Sequence, residues 1–133
     1  MDTKALIAAY YEAFNAGDTA RMLEFLHPEV EHHVNEGKVR KGRDLFAQFN
    51  RHMTESYKEE LTDIVVFAND AGDRAAAEFV VNGTYLKTDE GLPEARGQKY
   101  ILPAGAFFTI RDGLIARVTT YYNLADWTAQ VNA

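Results

Sequence analysis

The feature that most constrains the fold is the stretch from Lys99 to Asn123, where two long apolar segments flank the turn Arg111-Asp112-Gly113. Both segments are rich in β-branched, aromatic and small apolar residues, and an Asp-Gly pair between such segments indicates a hairpin. A hairpin with one buried face carries a polar residue at every second position, because side chains alternate between faces. Ala104 to Phe108 carries none. We therefore expect both faces to be covered, one by helices and the other by a second subunit or more sheet.

The remaining periodicity predicts helices first and then a meander of long strands, which is an α+β architecture. Asp18 is a good N-cap for the second helix, and Pro28 is expected to end it. From Leu61 onward the apolar period changes to two. The expected helices are about Thr3 to Ala16, Asp18 to Leu26, Arg43 to Tyr57 and Leu124 to Val131; the expected strands before the hairpin are Val30 to Asn35, Leu61 to Ala68 and Arg74 to Leu86.

Length and composition limit the classes of function. The 133 residues suit one domain spanning residues 1–133. The chain contains no cysteine, which excludes disulfides, thiolate nucleophiles and zinc–thiolate sites. Its net charge is −6, and its basic residues are dispersed except for a short group from Lys38 to Arg43, which we interpret as a solvated loop and the start of a helix. We expect no nucleic-acid partner, no membrane span and a cytoplasmic location.

Several segments resemble the ketosteroid isomerase and SnoaL-like families, which share the cone-shaped fold of nuclear transport factor two. The similarity is carried by Ile7 to Asp18, by Phe25-Leu26-His27-Pro28-Glu29-Val30, by Arg40-Lys41-Gly42-Arg43 and by Ile110 to Ile115. The segments Ala75 to Val81, Leu102 to Phe108 and Tyr121 to Leu124 are similar to ketosteroid isomerase-related proteins in particular. The resemblance implies N-terminal helices packed on a curved, mostly antiparallel sheet, with a pocket between them. Members of this superfamily include isomerases, cyclases, dehydratases and binding modules, so the fold alone does not choose the chemistry.

The resemblance also shows which isomerase residues are missing. That reaction uses a tyrosine and a protonated aspartic acid to hold the oxyanion, and a second aspartate to move the proton. Tyr10 falls at the tyrosine position, whereas the general base falls at Val34 and the oxyanion aspartate at Gly105. Isomerisation by the family's standard mechanism is therefore not expected. Asn123 lies about where related cyclases place an aspartate, and an amide can orient a substrate but cannot act as an acid or base.

His32 and Glu36 are the candidate replacement pair. If Val34 points into the pocket, strand alternation brings both of them to the same side. A histidine titrates near neutrality, and a nearby carboxylate would orient its ring and stabilise its cation. The alternative is a buried structural histidine, and a one-residue bulge would exchange His32 for His33.

Tyr10 is the candidate hydrogen-bond donor, because its helix face is shared with Phe14. Its hydroxyl could donate to a substrate carbonyl or enolate, or it could be a core tyrosine bonded to another residue. The other residues expected to bind the ligand are Phe14, Val34, Phe49, Tyr57, Phe107, Val118, Thr120, Tyr122 and Asn123.

Metal and cofactor sites are not expected. His32 and His33 are adjacent in a strand and point to opposite faces, which prevents shared coordination. No glycine-rich phosphate motif indicates a nucleotide. Glu78 interrupts an apolar strand, and we expect it at a dimer surface, paired with Arg117 or Arg74.

Three hypotheses follow from the sequence. The leading one is a cofactor-free homodimer that transfers a proton on a small hydrophobic carbonyl or hydroxy compound, as an isomerase, cyclase or dehydratase. Dimerisation is expected through the outer sheet face. The second hypothesis is a non-catalytic module that binds a small hydrophobic molecule. The third is a subunit whose exposed sheet face recruits a protein partner.

Overall fold

The computed structural model describes residues 1–35 and 37–133, and it confirms the α+β class. The helices are α1 (Thr3–Asn15), α2 (Thr19–Glu24), α3 (Arg43–Ser56) and α4 (Leu124–Val131). The strands are β1 (Leu26–His33), β2 (Val39–Lys41), β3 (Tyr57–Ala68), β4 (Arg74–Tyr85), β5 (Lys99–Arg111) and β6 (Leu114–Tyr122).

Two aspartates start the N-terminal helices. The carboxylate of Asp2 accepts the backbone N–H of Ala5 at 2.7 Å, and that of Asp18 accepts the N–H of Arg21 at 3.1 Å. Such caps satisfy amides that have no partner inside the helix. Gly17 follows α1 with a φ of +69°, which a side chain would disfavour. The predicted end of the first helix and the predicted cap of the second are both confirmed.

The region around Pro28 differs from the prediction. The second helix ends at Glu24, and Pro28 lies inside β1 rather than at a helix end. The pairing of β1 with β6 shifts register between Leu26 and Glu31, so the proline falls where the ladder is already interrupted. A proline has no N–H to donate, and a bulged segment tolerates it for that reason.

The predicted solvated loop that begins at Lys38 is also wrong in part, because it contains strand β2. This three-residue strand pairs with the end of β1, and the pairs are Glu31 with Lys41, His32 with Arg40, and His33 with Val39. The second predicted strand, which corresponds to β3, begins four residues earlier than expected, at Tyr57 instead of Leu61. Both differences change which side chains face the interior.

The six strands form one sheet in the order β2-β1-β6-β5-β4-β3. Only β1 and β6 run parallel; the other described pairs are antiparallel. We call the face that contacts α1, α3 and α4 the inner face. In the described part of the chain, no helix is long and apolar enough to cross a membrane.

The outer face of the sheet is exposed in the single chain. Large apolar side chains there are about half accessible: Val65, Phe67, Ile101, Phe107 and Tyr121. The predicted covering of both hairpin faces therefore holds within this chain for the inner face only. Glu78 lies on the outer face too and is exposed, and it forms no salt bridge with a described residue.

Candidate functional site

One row of inner-face residues crosses four adjacent strands. Phe108 pairs with Val118, Val118 with His32, and His32 with Arg40. Neighbouring strands lie about 4.8 Å apart, so Phe108 and His32 are about 10 Å apart along this row. The register puts His32 on the inner face and leaves His33 on the outer face, beside Glu31 at 3.3 Å.

His32 lies in an aromatic environment at the junction of β1 with α3. Its ring centroid is 4.9 Å from that of Phe46 and 4.7 Å from that of Phe49. Only 6% of the residue is exposed, and its Nδ1 has no hydrogen-bond partner among the described residues. Burial lowers the pKa of His32 to about 4, and the charges of Arg40 and His33 add to this effect. The imidazole is therefore neutral at physiological pH.

Arg40 is the charged neighbour that the sequence analysis placed on a solvated loop. Its guanidinium lies 5.3 Å from the centroid of the Phe49 ring, and its Nε is buried without a described partner. The predicted neighbour of His32 was the carboxylate of Glu36, which lies outside the described residues. Among the described groups, the charge that acts on His32 is positive and disfavours the imidazolium.

Tyr10 is buried in the layer between α1 and the sheet. Its ring contacts Tyr11 and Phe108 edge-on, with centroids 5.1 and 6.1 Å apart. Burial raises the pKa of the Tyr10 hydroxyl, so the group stays protonated and can donate. The contact with Phe108 joins Tyr10 to the row that contains His32.

The other predicted ligand-binding residues divide into two groups. Val34, Val118 and Thr120 lie on the inner face, and Phe49 contacts His32 from α3. Tyr122 is half-buried on the same face, where it lies close enough to Tyr57 to raise the pKa of the Tyr57 hydroxyl. Phe14 is partly buried against the core at the end of α1.

Two of the predicted residues are placed elsewhere. Phe107 is 49% exposed on the outer face, where its ring contacts Tyr121. Alternation along β5 explains this, because the neighbouring Phe108 is the one that points inward. Asn123 caps α4, and its Oδ1 accepts the N–H of Asp126 at 3.0 Å. The structure therefore gives Asn123 a local role in starting a helix.

Tyr57 is hydrogen-bonded to Asp89, which lies in the loop after β4. Its hydroxyl donates to Asp89 at 2.8 Å, and the same carboxylate accepts from His52 at 2.9 Å. The Tyr57 ring stacks on Tyr85 at 5.3 Å and meets Trp127 edge-on at 6.1 Å. Burial raises the pKa of Tyr57 and the bond to Asp89 raises it further. These contacts connect the loop after β4 to α3 and β3.

The position assigned to the isomerase's oxyanion aspartate needs correction. Gly105 pairs with Tyr121, which is 56% exposed, so Gly105 belongs to the outer face. Ala104 and Ala106 are its inward-facing neighbours. Neither carries an acid, so the inference that this group is missing still holds. Val34, at the base position, is buried with 9% exposure.

Sequence reasoning missed a buried carboxyl on β3. Glu59 accepts a hydrogen bond from the Tyr100 hydroxyl, and burial raises the pKa of Glu59, an effect that this bond partly offsets. The signal was present, because Tyr57, Glu59 and Leu61 alternate with exposed residues. Starting the strand at Leu61 concealed it. Arg40 had no comparable signal, since three residues of β2 are too few to show a period.

Metal ligands are not grouped in the residues that the structure describes. No cluster of three or more His, Asp or Glu side chains is close enough there to hold an ion. His27 lies 3.7 Å from Asp112 at an exposed turn.

Comparison with known proteins identifies the family. The model of the SnoaL-like domain matches residues 7–118, which is most of the chain. The chain belongs to the SnoaL-like family. A search of curated proteins found no match.

Two solved structures are very similar to this one. A protein from Pseudomonas putida, provisionally named a polyketide cyclase, is 55% identical with a TM-score of 0.97, and 98% of each chain is covered. A protein from Silicibacter sp. with the same provisional name is 63% identical with a TM-score of 0.97, covering 99% of this chain and 96% of that one. A nuclear transport factor two-like protein from Burkholderia xenovorans shares the fold at 12% identity, with a TM-score of 0.77 over 98% of this chain and 95% of its own.

Proposed function

We propose that this SnoaL-like protein transfers a proton on a small hydrophobic carbonyl or hydroxy compound, as a cyclase, isomerase or dehydratase. The observation that carries the proposal is the neutral, buried imidazole of His32, set between Phe46 and Phe49 on the inner face. The provisional names of the two similar structures support a cyclase over the other two reactions.

The roles follow from the protonation states. Neutral His32 accepts a proton from the carbon beside the substrate carbonyl, and the enolate forms. Tyr10, whose pKa is raised by burial, stays protonated and donates a hydrogen bond to the enolate oxygen. His32 then returns the proton to another carbon, or the enolate carbon attacks a second carbonyl and closes a ring, and the alkoxide that forms takes the proton from His32. Neither route requires a cofactor.

The second candidate function is non-catalytic binding of the same class of compound. Its supporting observation is the pKa of His32, which is lowered to about 4. An imidazole of that pKa is a weaker base than an ordinary histidine, and Brønsted behaviour penalises it. A ligand that brings negative charge to the site would raise the pKa and reduce this penalty.

Hydrogen–deuterium exchange at the carbon next to a carbonyl tests whether the protein transfers a proton or only binds its ligand. We would incubate β-tetralone in D₂O with the protein and follow the loss of the exchangeable proton by NMR. Proton transfer by His32 predicts exchange above the buffer rate, a large loss in His32→Gln and a smaller loss in Tyr10→Phe. His33→Gln and Tyr11→Phe are matched controls, because they make the same changes one residue away.

Two outcomes would decide against catalysis. Exchange that is equal in the wild type and in His32→Gln removes His32 as the base. Saturable binding of β-tetralone with no exchange above buffer supports the binding module instead.

We also propose that two copies associate through the outer face. Phe67, Phe107 and Tyr121 are each about half exposed there, and exposed apolar surface of this kind marks interfaces. Light scattering on the wild type should give a dimer, and Phe107→Lys should give a monomer. Leu45→Lys is the control, because Leu45 is an exposed apolar residue on α3. A monomeric wild type would contradict this proposal and would favour a different protein as the partner of the outer face.

A further inference from the structure

Two nitrogens on opposite residues of β1 and β2 are buried without partners. They are Nδ1 of His32 and Nε of Arg40, and no described residue supplies a hydrogen bond to either. The two residues are direct partners in the antiparallel ladder, so both side chains lie on the inner face. Leaving a buried polar group unpaired is unfavourable, and native proteins seldom do so without a reason.

Phe49 brings the two polar groups to one place. Its ring centroid lies 4.7 Å from that of His32 and 5.3 Å from the guanidinium carbon of Arg40. Phe46 packs on the remaining side of the imidazole. The two nitrogens therefore lie beside aromatic side chains, and this combination suits a mostly apolar ligand with one polar end.

The charge of Arg40 is not balanced by the protein groups that the structure describes. Arg40 takes part in none of the salt bridges found there, and the nearest acid on β1, Glu31, pairs with His33 on the outer face. A guanidinium binds carboxylates well, because its fork of N–H donors matches two oxygens. A neutral imidazole offers one further N–H donor.

We propose that His32 and Arg40 form a subsite for the carboxylate of an apolar, ring-containing ligand. Arg40 Nε–H donates to one carboxylate oxygen, and the N–H of His32 donates to the other. Phe46 and Phe49 contact the apolar part. This inference rests on the proposed function, because it assigns the substrate of that site to the class of hydrophobic carboxylic acids.

The test compares a carboxylate with its neutral counterpart. We would measure the binding of 2-naphthoate and 2-naphthamide by calorimetry at neutral pH. The two probes have the same ring system and differ in charge, so their affinity ratio isolates the subsite. We expect the wild type to prefer the carboxylate by about tenfold or more, which is the size of one charge-assisted hydrogen bond.

Variants of two β2 residues test whether Arg40 is the source of the preference for the carboxylate. Arg40→Met should abolish the preference by weakening the binding of naphthoate much more than that of naphthamide, and Arg40→Lys should restore part of it. Lys41→Met removes the same charge from the neighbouring exposed residue and should keep the preference. Thermal unfolding of each variant establishes that it is folded before binding is measured.

Three results would overturn the proposal. They are equal affinities of the wild type for the two probes, a preference that survives Arg40→Met, and failure of naphthoate to bind at millimolar concentration. Binding is measured without turnover, so the outcome is separate from that of the exchange assay. Loss of exchange in the His32 variant with no carboxylate preference would reject only the subsite, whereas a preference without exchange would reject only the catalysis.

Discussion

His32 and Arg40 face each other in register across the β1–β2 pair, and the guanidinium helps to hold the imidazole in its neutral form. A base beside a fixed cation is weak until something neutralises that cation. Negative charge that arrives with the ligand, or that develops as an enolate, would raise the basicity of His32 when the reaction needs it. The same geometry therefore bears on both binding and proton transfer.

The pKa of His32 should rise when Arg40 is replaced by methionine. Arg40 is the second cause of the lowered pKa, and burial is the first, so the new value should lie between about 4 and the ordinary 6.5. The measurement is an NMR titration of the His32 ring protons. Lys41→Met serves as the charge-matched control and should leave the pKa of His32 unchanged.

The free energy of unfolding should fall as the solution is acidified through the titration of His32. Its pKa is about 4 in the folded protein and 6.5 in the unfolded chain, so the unfolded chain binds the proton first. The stabilisation is fully present above pH 6.5 and is lost as the pH falls toward 4. It amounts to about 3 kcal/mol.

Urea unfolding at pH 7 and pH 4 measures this effect. His32→Gln should lose less stability between the two pH values than the wild type does, and His33→Gln should behave as the wild type. An unchanged pH dependence in His32→Gln would contradict the buried, neutral state of the imidazole.

Glu59 should act in the opposite direction. Burial raises the pKa of its carboxyl, so the folded protein holds the proton more tightly than the unfolded chain. The stabilisation that protonated Glu59 gives the folded protein is present below the ordinary pKa of 4.5. It is lost as the pH rises through the pKa that Glu59 has in the folded protein. Glu59→Gln keeps an acceptor for Tyr100 but cannot ionise. Urea unfolding should therefore show a smaller loss of stability above pH 4.5 in Glu59→Gln than in the wild type, whereas the exposed Glu60→Gln should show none of this difference.

The long strands and the helices could be predicted because their signals are local and repeated. Asp18 caps its helix as expected, the Asp-Gly turn joins β5 to β6, and the last helix spans the predicted residues. The first strand could not be predicted in the same way. Pro28 is a reliable helix stop, and only the register shift in the pairing with β6 makes it acceptable inside a strand.

The inward-facing position of His32 could be predicted from the sequence, whereas the positive charge of Arg40 beside it could not. Alternation around Val34 identifies His32, since one face of a strand repeats every second residue. Arg40 reaches the site because the three-residue strand β2 pairs with β1, and so short a strand gives no local sequence signal for that pairing. The outward placement of Phe107 was missed because Phe107 and Phe108 are both aromatic, so composition gives no indication of the face.

Gly83 is paired with Tyr100 across β4 and β5. A Cβ on Gly83 would overlap the Tyr100 ring, so the ring occupies the space that any side chain at position 83 would need. Gly83→Ala must displace the ring and with it the hydrogen bond from Tyr100 to Glu59. We expect a loss of about 1–3 kcal/mol in the free energy of unfolding, measured in urea.

Gly105→Ala is the control, because its nearest neighbour is the carbonyl oxygen of Ala77 at 3.2 Å and a small shift relieves that contact. Equal stability of Gly83→Ala and the wild type would show that the ring is not held over the glycine in solution.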